Sequence, residues 1–504
     1  MFPTPRQDLT ANSEDYERLP YVKPTGFREY DARWVFEQDI NLMGVQALGL
    51  GLGTQLHEMG IKGPDGKPAI VVAHDYRAYS ASIKQALMTG LMSAGVAVHD
   101  IGLALSPVAY FAQFALDLPA VAMVTASHNE NGWTGVKIGA ERPLTHGPDE
   151  MARLRDIVLN GEFQLRDGGS FTYVSDIKER YLADVTKDVK LTRKLKVVAA
   201  CGNGTAGAFA PAALEAIGCE VIPLHTDLDY NFPHHNPNPE DMTMLHAMAE
   251  AVKAHGADMA LGFDGDGDRC GVIDDEGEEI FADKVGLIMA RDLCQLHDNA
   301  QFVVDVKSTG LFLTDPVLKA NGATTDYWKT GHSYMKRRVN ALGALAGFEK
   351  SGHYFLNNPI GRGYDDGVLT AIRLCQLMDR NPDKTFSDLR RDLGHTWSSP
   401  TMAPFCPDER KYHIVDQMVA DFTKRFEAGE KLLGQTVTEV VTVNGIRIHL
   451  EDGTWGLIRA SSNKPSLVVV VESPTSEQMM RDMFTLIDEA LQATGEVGEY
   501  DQKL

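Results

Sequence analysis

Asp264-Gly265-Asp266-Gly267-Asp268-Arg269 follows the mostly apolar run Asp258-Met259-Ala260-Leu261-Gly262-Phe263. The run reads as a strand that carries the acidic loop to a sheet edge. Two-residue spacing in an extended or tightly turning segment points the three carboxylates the same way. Hard oxygen ligands converging like this suit a divalent cation such as magnesium. Arg269 then stands beside the cation, where it could hold a phosphate. Two other readings compete. Asp and Gly are ordinary turn residues, so the loop could be a solvated acidic turn. An EF-hand loop shares the alternating acids, but Arg269 occupies the place of its required glycine, its twelfth position is Asp275, and no long helix leads in.

Working outward, other short β-branched runs also end in polar or glycine-rich loops before a helical stretch. Ala69–Ala73 precedes His74-Asp75-Tyr76-Arg77, Ala120–Val124 precedes Thr125-Ala126-Ser127-His128, Leu195–Ala200 precedes Gly202-Asn203-Gly204, and Phe302–Val306 precedes Lys307-Ser308-Thr309. This alternation predicts α/β layers with functional loops at the carboxyl ends of strands. The last hundred residues differ: strands are expected at Glu439–Val443, Ile446–Leu450, Thr454–Arg459 and Ser466–Glu472, with helices at Glu409–Glu427 and Ser476–Ala493. That pattern is an α+β unit with an antiparallel sheet. A chain of 504 residues exceeds one core, and boundaries near 172, 280 and 394 divide it into residues 1–172, 173–280, 281–394 and 395–504.

Hydrophobic residues make up 43% and charged residues 23%, as in an ordinary globular protein, and the net charge of -22 argues against nucleic-acid or membrane-surface partners. An anionic substrate therefore needs local basic pockets. The segment up to Gly26 carries four prolines and no apolar stretch, and Leu105–Ala126 is broken by Gln113, Asp117 and Pro119, so neither a signal peptide nor a membrane span is expected. Six scattered cysteines without metal-binding spacing read as reduced core thiols of a soluble, cytoplasmic protein.

Ser127 leaves a buried strand into a polar turn, flanked by residues that leave room for a bulky anion. A serine hydroxyl needs help to act as a nucleophile, and His128 or Lys137 could assist; read alone, a strand-end serine is more often a turn or cap residue. Gly202, Gly204 and Gly207 fit the GxGxxG dinucleotide pattern, a weak signal on its own that is not read as NAD binding, and Gly49, Gly51 and Gly53 alternate with leucines in an expected helix, where close helix packing is the better reading. Adjacent His234 and His235 point apart, so a zinc site including His128 is not expected and the loop is read as structural.

Taken with the acidic loop, the Thr125-Ala126-Ser127-His128-Asn129 segment closely resembles the alpha-D-phosphohexomutase family, which moves phosphate between carbon 1 and carbon 6 of a hexose. The resemblance implies that Ser127 carries the transferring phosphate, that Lys137 ten residues later assists, and that Asp264, Asp266 and Asp268 bind magnesium together with the Ser127 phosphate. It continues through Gly347-Phe348-Glu349-Lys350-Ser351-Gly352-His353, where Glu349 and Ser351 would grip sugar hydroxyls. In Arg459-Ala460-Ser461-Ser462-Asn463-Lys464-Pro465, Arg459, Ser461, Ser462 and Asn463 would clamp a phosphate. Phe27–Arg33, with Tyr30 and Arg33, Lys307, Lys329–Lys336 with His332, and Asp365-Asp366-Gly367 also match, so the likeness runs from about residue 27 to about residue 472. Trp34 replaces a usual glycine, the clamp departs from Ser-Asn-Thr, and Phe348 is extra.

What the resemblance implies is a fold of three similar α/β domains with mixed sheets plus the carboxyl-terminal α+β domain, around a central active-site cleft. It also implies a magnesium-dependent phosphohexomutase acting on mannose first and glucose also, with a hexose 1,6-bisphosphate as intermediate and activator. Catalytic roles fall to Ser127, Lys137, His128, Arg269, His332, His353 and Arg33, and substrate contacts to Tyr30, Lys307, Glu349, Ser351, His353 and the clamp. Partners are small sugar phosphates, in a monomer or homodimer. Phosphoglucomutase and phosphoglucosamine mutase are alternatives, with a metal-dependent sugar phosphatase or a sugar-phosphate-binding protein more remote.

Overall fold

A computed structural model describes residues 2–462 and 464–504. The chain divides into two compact units, one running to Ala282 and taking in Ser351–Ser387, the other made of Asp283–Lys350 with Asp388–Leu504.

The first unit opens with a six-stranded sheet in the order Ala32–Val35, Trp133–Gly139, Ala120–Val124, Ala69–His74, Ala97–Leu103, Ser170–Tyr173. The four strands from Ala120–Val124 to the far edge are parallel; the first two run antiparallel to their neighbours. Ala120–Val124 is entirely buried, as an apolar run covered on both faces should be. Its pairing with Trp133–Gly139 sets Met123 opposite Lys137, which brings that lysine to the strand end where Ser127 emerges. The expected glycine-lined helix forms over Leu42–Glu58. A Cβ on Gly49 would lie 2.1 Å from the Leu87 carbonyl oxygen and one on Gly53 2.5 Å from the Ala94 Cβ, so these glycines let the neighbouring helix Ser80–Ser93 lie against the backbone.

A second sheet follows, ordered Glu279–Ile280, Cys270–Asp274, Met259–Phe263, Lys196–Ala200, Glu220–Leu224. Met259–Phe263 and Cys270–Asp274 form a hairpin with Phe263 opposite Cys270, and the acidic run is its turn. The Gly202–Gly207 segment supports that turn, since the Thr205 amide donates to the Gly265 carbonyl at 3.3 Å. The hairpin Tyr354–Leu356 with Tyr364–Asp365 and the helix Gly367–Arg380 complete the unit.

In the second unit, Gln301–Asp305 lies parallel to and between Thr324–Trp328 and Ala346–Phe348. The carboxyl-terminal sheet is antiparallel throughout, ordered Trp397–Ser398, Leu467–Ser473, Trp455–Ala460, Ile446–Leu450, Gln435–Val441, Lys431–Leu432. Helices Asp408–Glu427 and Glu477–Gln492 cover one face through Ile414, Phe422, Met483 and Ile487. The other face carries Trp455, Leu457, Val468 and Val470 onto Val306. The strand expected at Glu439–Val443 instead spans Gln435–Val441 with a register shift between Val437 and Glu439. Its start is fixed by pairing with Lys431–Leu432 across Leu433 and Gly434, both at positive φ, which no local apolar run announces.

All six cysteines are buried and free, as their scatter predicted. Among the described residues no helix is long and apolar enough to cross a membrane.

Candidate active site

Ser127 is buried and holds φ at +52°, a left-handed backbone that a serine adopts only when its surroundings impose it. The surroundings are specific. Asp75, at the end of Ala69–His74, accepts from the Thr125 hydroxyl at 2.9 Å and the Ala126 amide at 3.3 Å. Arg77 donates to the carbonyls of Ser127 at 3.0 Å, Asn129 at 2.7 Å and Glu130 at 3.1 Å. Arg33 reaches the same loop, donating to the Ala126 carbonyl at 3.1 Å and to the Asn129 side chain. Asn236, from the histidine loop read as structural, donates to the His128 carbonyl. Most of these anchors are charged or amide groups on backbone carbonyls or amides, so the loop's conformation is fixed independently of any substrate.

The acidic turn meets this loop directly. A Cβ on Gly265 would stand 2.5 Å from the Ser127 carbonyl oxygen, so only glycine permits the approach, and Gly267 has φ +68°. The Ser127 hydroxyl donates to Asp264 Oδ2 at 3.1 Å and lies 3.3 Å from His128 Nδ1. Asp264, Asp266 and Asp268 are fully buried, with one oxygen from each within 4.8 Å of the others. Lys137 Nζ lies 2.7 Å from Asp266 Oδ2 and also bonds Asp268, and Ser106 donates to Asp266 Oδ2 at 2.5 Å. Burial would lower the Lys137 pKa, but Asp266 and Asp268 outweigh it and hold the ammonium form well above its ordinary range. Burial and the two neighbouring carboxylates push Asp264 up to about 8. Asp266 Oδ1 and Asp268 Oδ1 are buried with no hydrogen-bond donor among the described residues. Three converging carboxylates with two unsatisfied oxygens fit a divalent cation, which would supply the charge that one lysine leaves unmatched.

Arg269 spans the far side. Its Nε donates to His353 Nε2 at 3.1 Å, Nη1 to Glu240 at 3.2 Å, and Nη2 lies 2.7 Å from His128 Nδ1. A guanidinium only donates, so His353 Nε2 is the acceptor and its Nδ1 proton points to Asp365 Oδ2 at 2.9 Å. Asp365, Glu240, Asp75, Arg77 and Ser106 had no role in the sequence reading. Asp75 and Arg77 were visible there only as members of a loop, Asp365 only as part of a matching stretch, and nothing local marked Glu240 or Ser106.

Ser351 opens the first unit's later segment, which also carries His353, and Tyr30 is buried in the first sheet's leading segment. In the second unit, side chains gather around Asp305 at the end of its strand: Thr330 donates to it at 2.9 Å, the Lys350 amide at 3.3 Å, and Lys307 Nζ stands 3.8 Å away. Glu349 is buried and accepts from the Gly331 amide at 2.6 Å, and His332 begins the next helix. Arg459 donates Nη1 to the Ala460 carbonyl at 2.7 Å, while its buried Nε has no acceptor among the described residues. Ser461 Oγ accepts from the Lys464 amide at 3.2 Å, and Ser462 follows it. Asn463, assigned to the clamp, lies outside the described residues.

Family models match four successive stretches. Phosphoglucomutase/phosphomannomutase alpha/beta/alpha domain I matches residues 24–165, domain II 172–277, domain III 281–396, and the C-terminal domain 406–488. A phosphomannomutase/phosphoglucomutase of Pseudomonas putida is 33% identical over 90% of this chain and 93% of its own length. A phosphoglucomutase of Neisseria meningitidis is 29% identical over 90% of this chain and 94% of its own. The crystal structure of a phosphoglucomutase/phosphomannomutase family protein from Burkholderia thailandensis superposes with a TM-score of 0.84 at 30% identity, covering 95% of this chain and all of that one.

Proposed function

The chain belongs to the phosphoglucomutase/phosphomannomutase family, and on that premise we propose that it interconverts hexose 1-phosphate and hexose 6-phosphate through a phosphorylated Ser127, with mannose the first substrate and glucose the second. The observation that carries this reading is a buried serine, held in a left-handed backbone, donating to one of three converging aspartates.

The phosphate ester forms at Ser127 Oγ. Transfer breaks the bond from phosphorus to Ser127 Oγ and forms one from phosphorus to the free sugar hydroxyl, whose proton leaves to a base; the 1,6-bisphosphate then returns its other phosphate to Ser127 by the reverse steps. Asp264, Asp266 and Asp268 would hold a magnesium ion, which neutralises charge on the transferring phosphoryl group when bound. Arg269 adds fixed positive charge on the same side. Lys137, kept as an ammonium by Asp266 and Asp268, fits the donor to Ser127 Oγ when that oxygen leaves. His353 is assigned proton exchange with the sugar: Asp365 holds its Nδ1 proton, and Nε2, which accepts from Arg269 in this state, is the nitrogen that would take the sugar's proton.

Retention of the bisphosphate needs a second phosphate site, which we assign to Arg459, Ser461, Ser462 and Asn463. The unsatisfied Arg459 Nε supports this, as a buried donor wants an acceptor. Glu349 and Ser351 are assigned to ring hydroxyls, with Tyr30, Lys307 and His332 as further contacts. The Pseudomonas putida relative, named for both sugars, supports a site that takes mannose and glucose phosphates alike.

The test is to supply purified protein with mannose 1-phosphate, magnesium and a trace of hexose 1,6-bisphosphate. Mannose 6-phosphate is the expected product. Stoichiometric free phosphate would make the protein a phosphatase, and no turnover a binder. Ser127→Ala is expected to cut the rate by ~1,000-fold or more while sugar phosphate still binds; an unchanged rate removes Ser127 from the reaction.

A further inference from the structure

A cavity of about 240 Å³ in the first unit lies between the helix Ile177–Thr186, the loop that joins Tyr354–Leu356 to Tyr364–Asp365, and the helix Gly367–Arg380. Its walls carry Asp184, Lys187, Arg362, Asp366 and Arg373, none of which the proposed reaction uses. Arg362 is fixed, bidentate on Asp184 at 2.5 and 2.9 Å with its guanidinium 5.3 Å from the Phe111 ring centre. Lys187 reaches the same carboxylate at 3.1 Å. One acid thus serves two cations.

Arg373 is different. Its Nη1 donates to Gln376 at 2.6 Å and Nη2 to the Ile360 carbonyl at 3.0 Å, both neutral acceptors, while its Nε is buried with no acceptor among the described residues. Burial and the neighbouring Arg380 pull its pKa below the ordinary arginine value. The second acid, Asp366, is spent on the Tyr181 hydroxyl at 2.8 and 3.0 Å and the Leu369 amide at 2.9 Å. Counting side chains, three cations face two acids in a chain of net charge -22. A half-buried guanidinium without a counter-charge beside a cavity is costly unless an anion answers it.

We propose that this cavity is a binding site for a small phosphorylated organic anion, held by Arg373 and Lys187 and separate from the phosphoserine centre. The volume accommodates a phosphate group with a short carbon chain. Its floor adjoins the centre's supports: Asp366 follows Asp365, which holds His353, and the Gly367 amide donates to the Gly267 carbonyl at 3.1 Å. An occupant here therefore bears on a helix end that props the acidic turn.

Inorganic phosphate is the probe, titrated calorimetrically into the magnesium-loaded enzyme, alongside its inhibition constant against the sugar phosphate. Arg373→Gln is expected to remove one phosphate-binding event, weakening it by about 10-fold or more, while the inhibition constant and the basal kcat/KM stay within about twofold. Lys187→Glu, on an exposed side chain that the fold does not need, is expected to weaken the same event about fivefold. Equal phosphate stoichiometry and affinity in wild type and Arg373→Gln overturns the proposal; where Arg373→Gln does not fold, unchanged binding in Lys187→Glu does so. A fall in the inhibition constant's sensitivity alongside binding assigns the event to the phosphoserine centre and equally overturns it.

Discussion

Ser127 holds a left-handed backbone at a cost of about 1–3 kcal/mol, offset by bonds that its loop accepts from Arg77, Arg33 and Asn236 and donates to Asp75. Arg77 contributes most, with three carbonyls on one guanidinium. Arg77→Met should therefore leave the hydroxyl chemically intact but let it wander by an ångström or so. We expect kcat to fall about 100-fold with little change in KM, and the fraction of Ser127 carrying phosphate, read by intact mass, to fall with it; Arg77→Lys should recover part of both. A loss in KM alone would make Arg77 a substrate contact. Asp366 poses a different question. Burial pushes its carboxyl up to about 7 against the bonds from Leu369 and Tyr181. The folded protein then keeps a proton that the unfolded chain releases near pH 4. This group's contribution to stability is full below about pH 4, falls as pH rises towards 7, and is flat above. Asp366→Asn keeps the helix cap and removes the titration. Denaturant melts should show the variant gaining on wild type between pH 5 and pH 8, by a few kcal/mol at most at roughly 1.4 kcal/mol per pH unit; parallel pH profiles would sink the assignment.

The helix Leu42–Glu58 was legible in the sequence because its glycines alternate with leucines, and its partner's backbone explains them. Gly49→Ala forces a Cβ to within 2.1 Å of the Leu87 carbonyl, a backbone atom that cannot swing aside. The helices must separate, at about 1–3 kcal/mol, which a lowered thermal midpoint with unchanged activity at low temperature would register. The strand that leads into the acidic turn was equally legible, since Met259–Phe263 is apolar and ends where the acids begin; its hairpin partner Cys270–Asp274 was not read. Gln435–Val437 was not, because its placement rests on a two-residue turn at Leu433 and Gly434 whose geometry no composition reveals. Much of the site escaped for a similar reason. Arg269 and His353 were named from their motifs, but the partners that orient them, Glu240 and Asp365, come from segments distant in sequence and take those roles only when the hairpins set them side by side. Ser106 became visible only when Asp266 was found 2.5 Å away. Residue types and spacing exposed the groups that do chemistry; the groups that hold them needed coordinates.

At the scale of the molecule, the carboxyl-terminal sheet shares one compact unit with Asp283–Lys350, and two buried charges show how the two are joined. Arg447 is sandwiched 3.6 Å from the Trp455 ring centre and 4.3 Å from that of Tyr327, and donates to the carbonyls of Val306 at 2.7 Å and Ser308 at 2.6 Å. Glu472 accepts from Thr309 Oγ1, the Gly310 amide and Trp455 Nε1, each at 2.9 Å, and from Ser398 at 2.6 Å. Burial alone would raise its pKa, yet these donors with Lys284 and Lys350 hold it below the ordinary range, so it is ionised and satisfied. Removing it deprives an indole, two hydroxyls and an amide of their acceptor, at a cost of about 3 kcal/mol or more. Because the bonds reach both the strand Trp455–Ala460 and the loop after Gln301–Asp305, the loss should be felt on both sides. Hydrogen exchange measured by mass spectrometry on Glu472→Ala is expected to rise together in peptides covering 301–310 and 455–473. Peptides over Ala120–Val124 and Met259–Phe263, whose cores lie in the other unit, should keep wild-type protection. Exchange rising only in 455–473 would make the last sheet an independently opening body, and the Arg447 and Glu472 contacts incidental to its cooperativity.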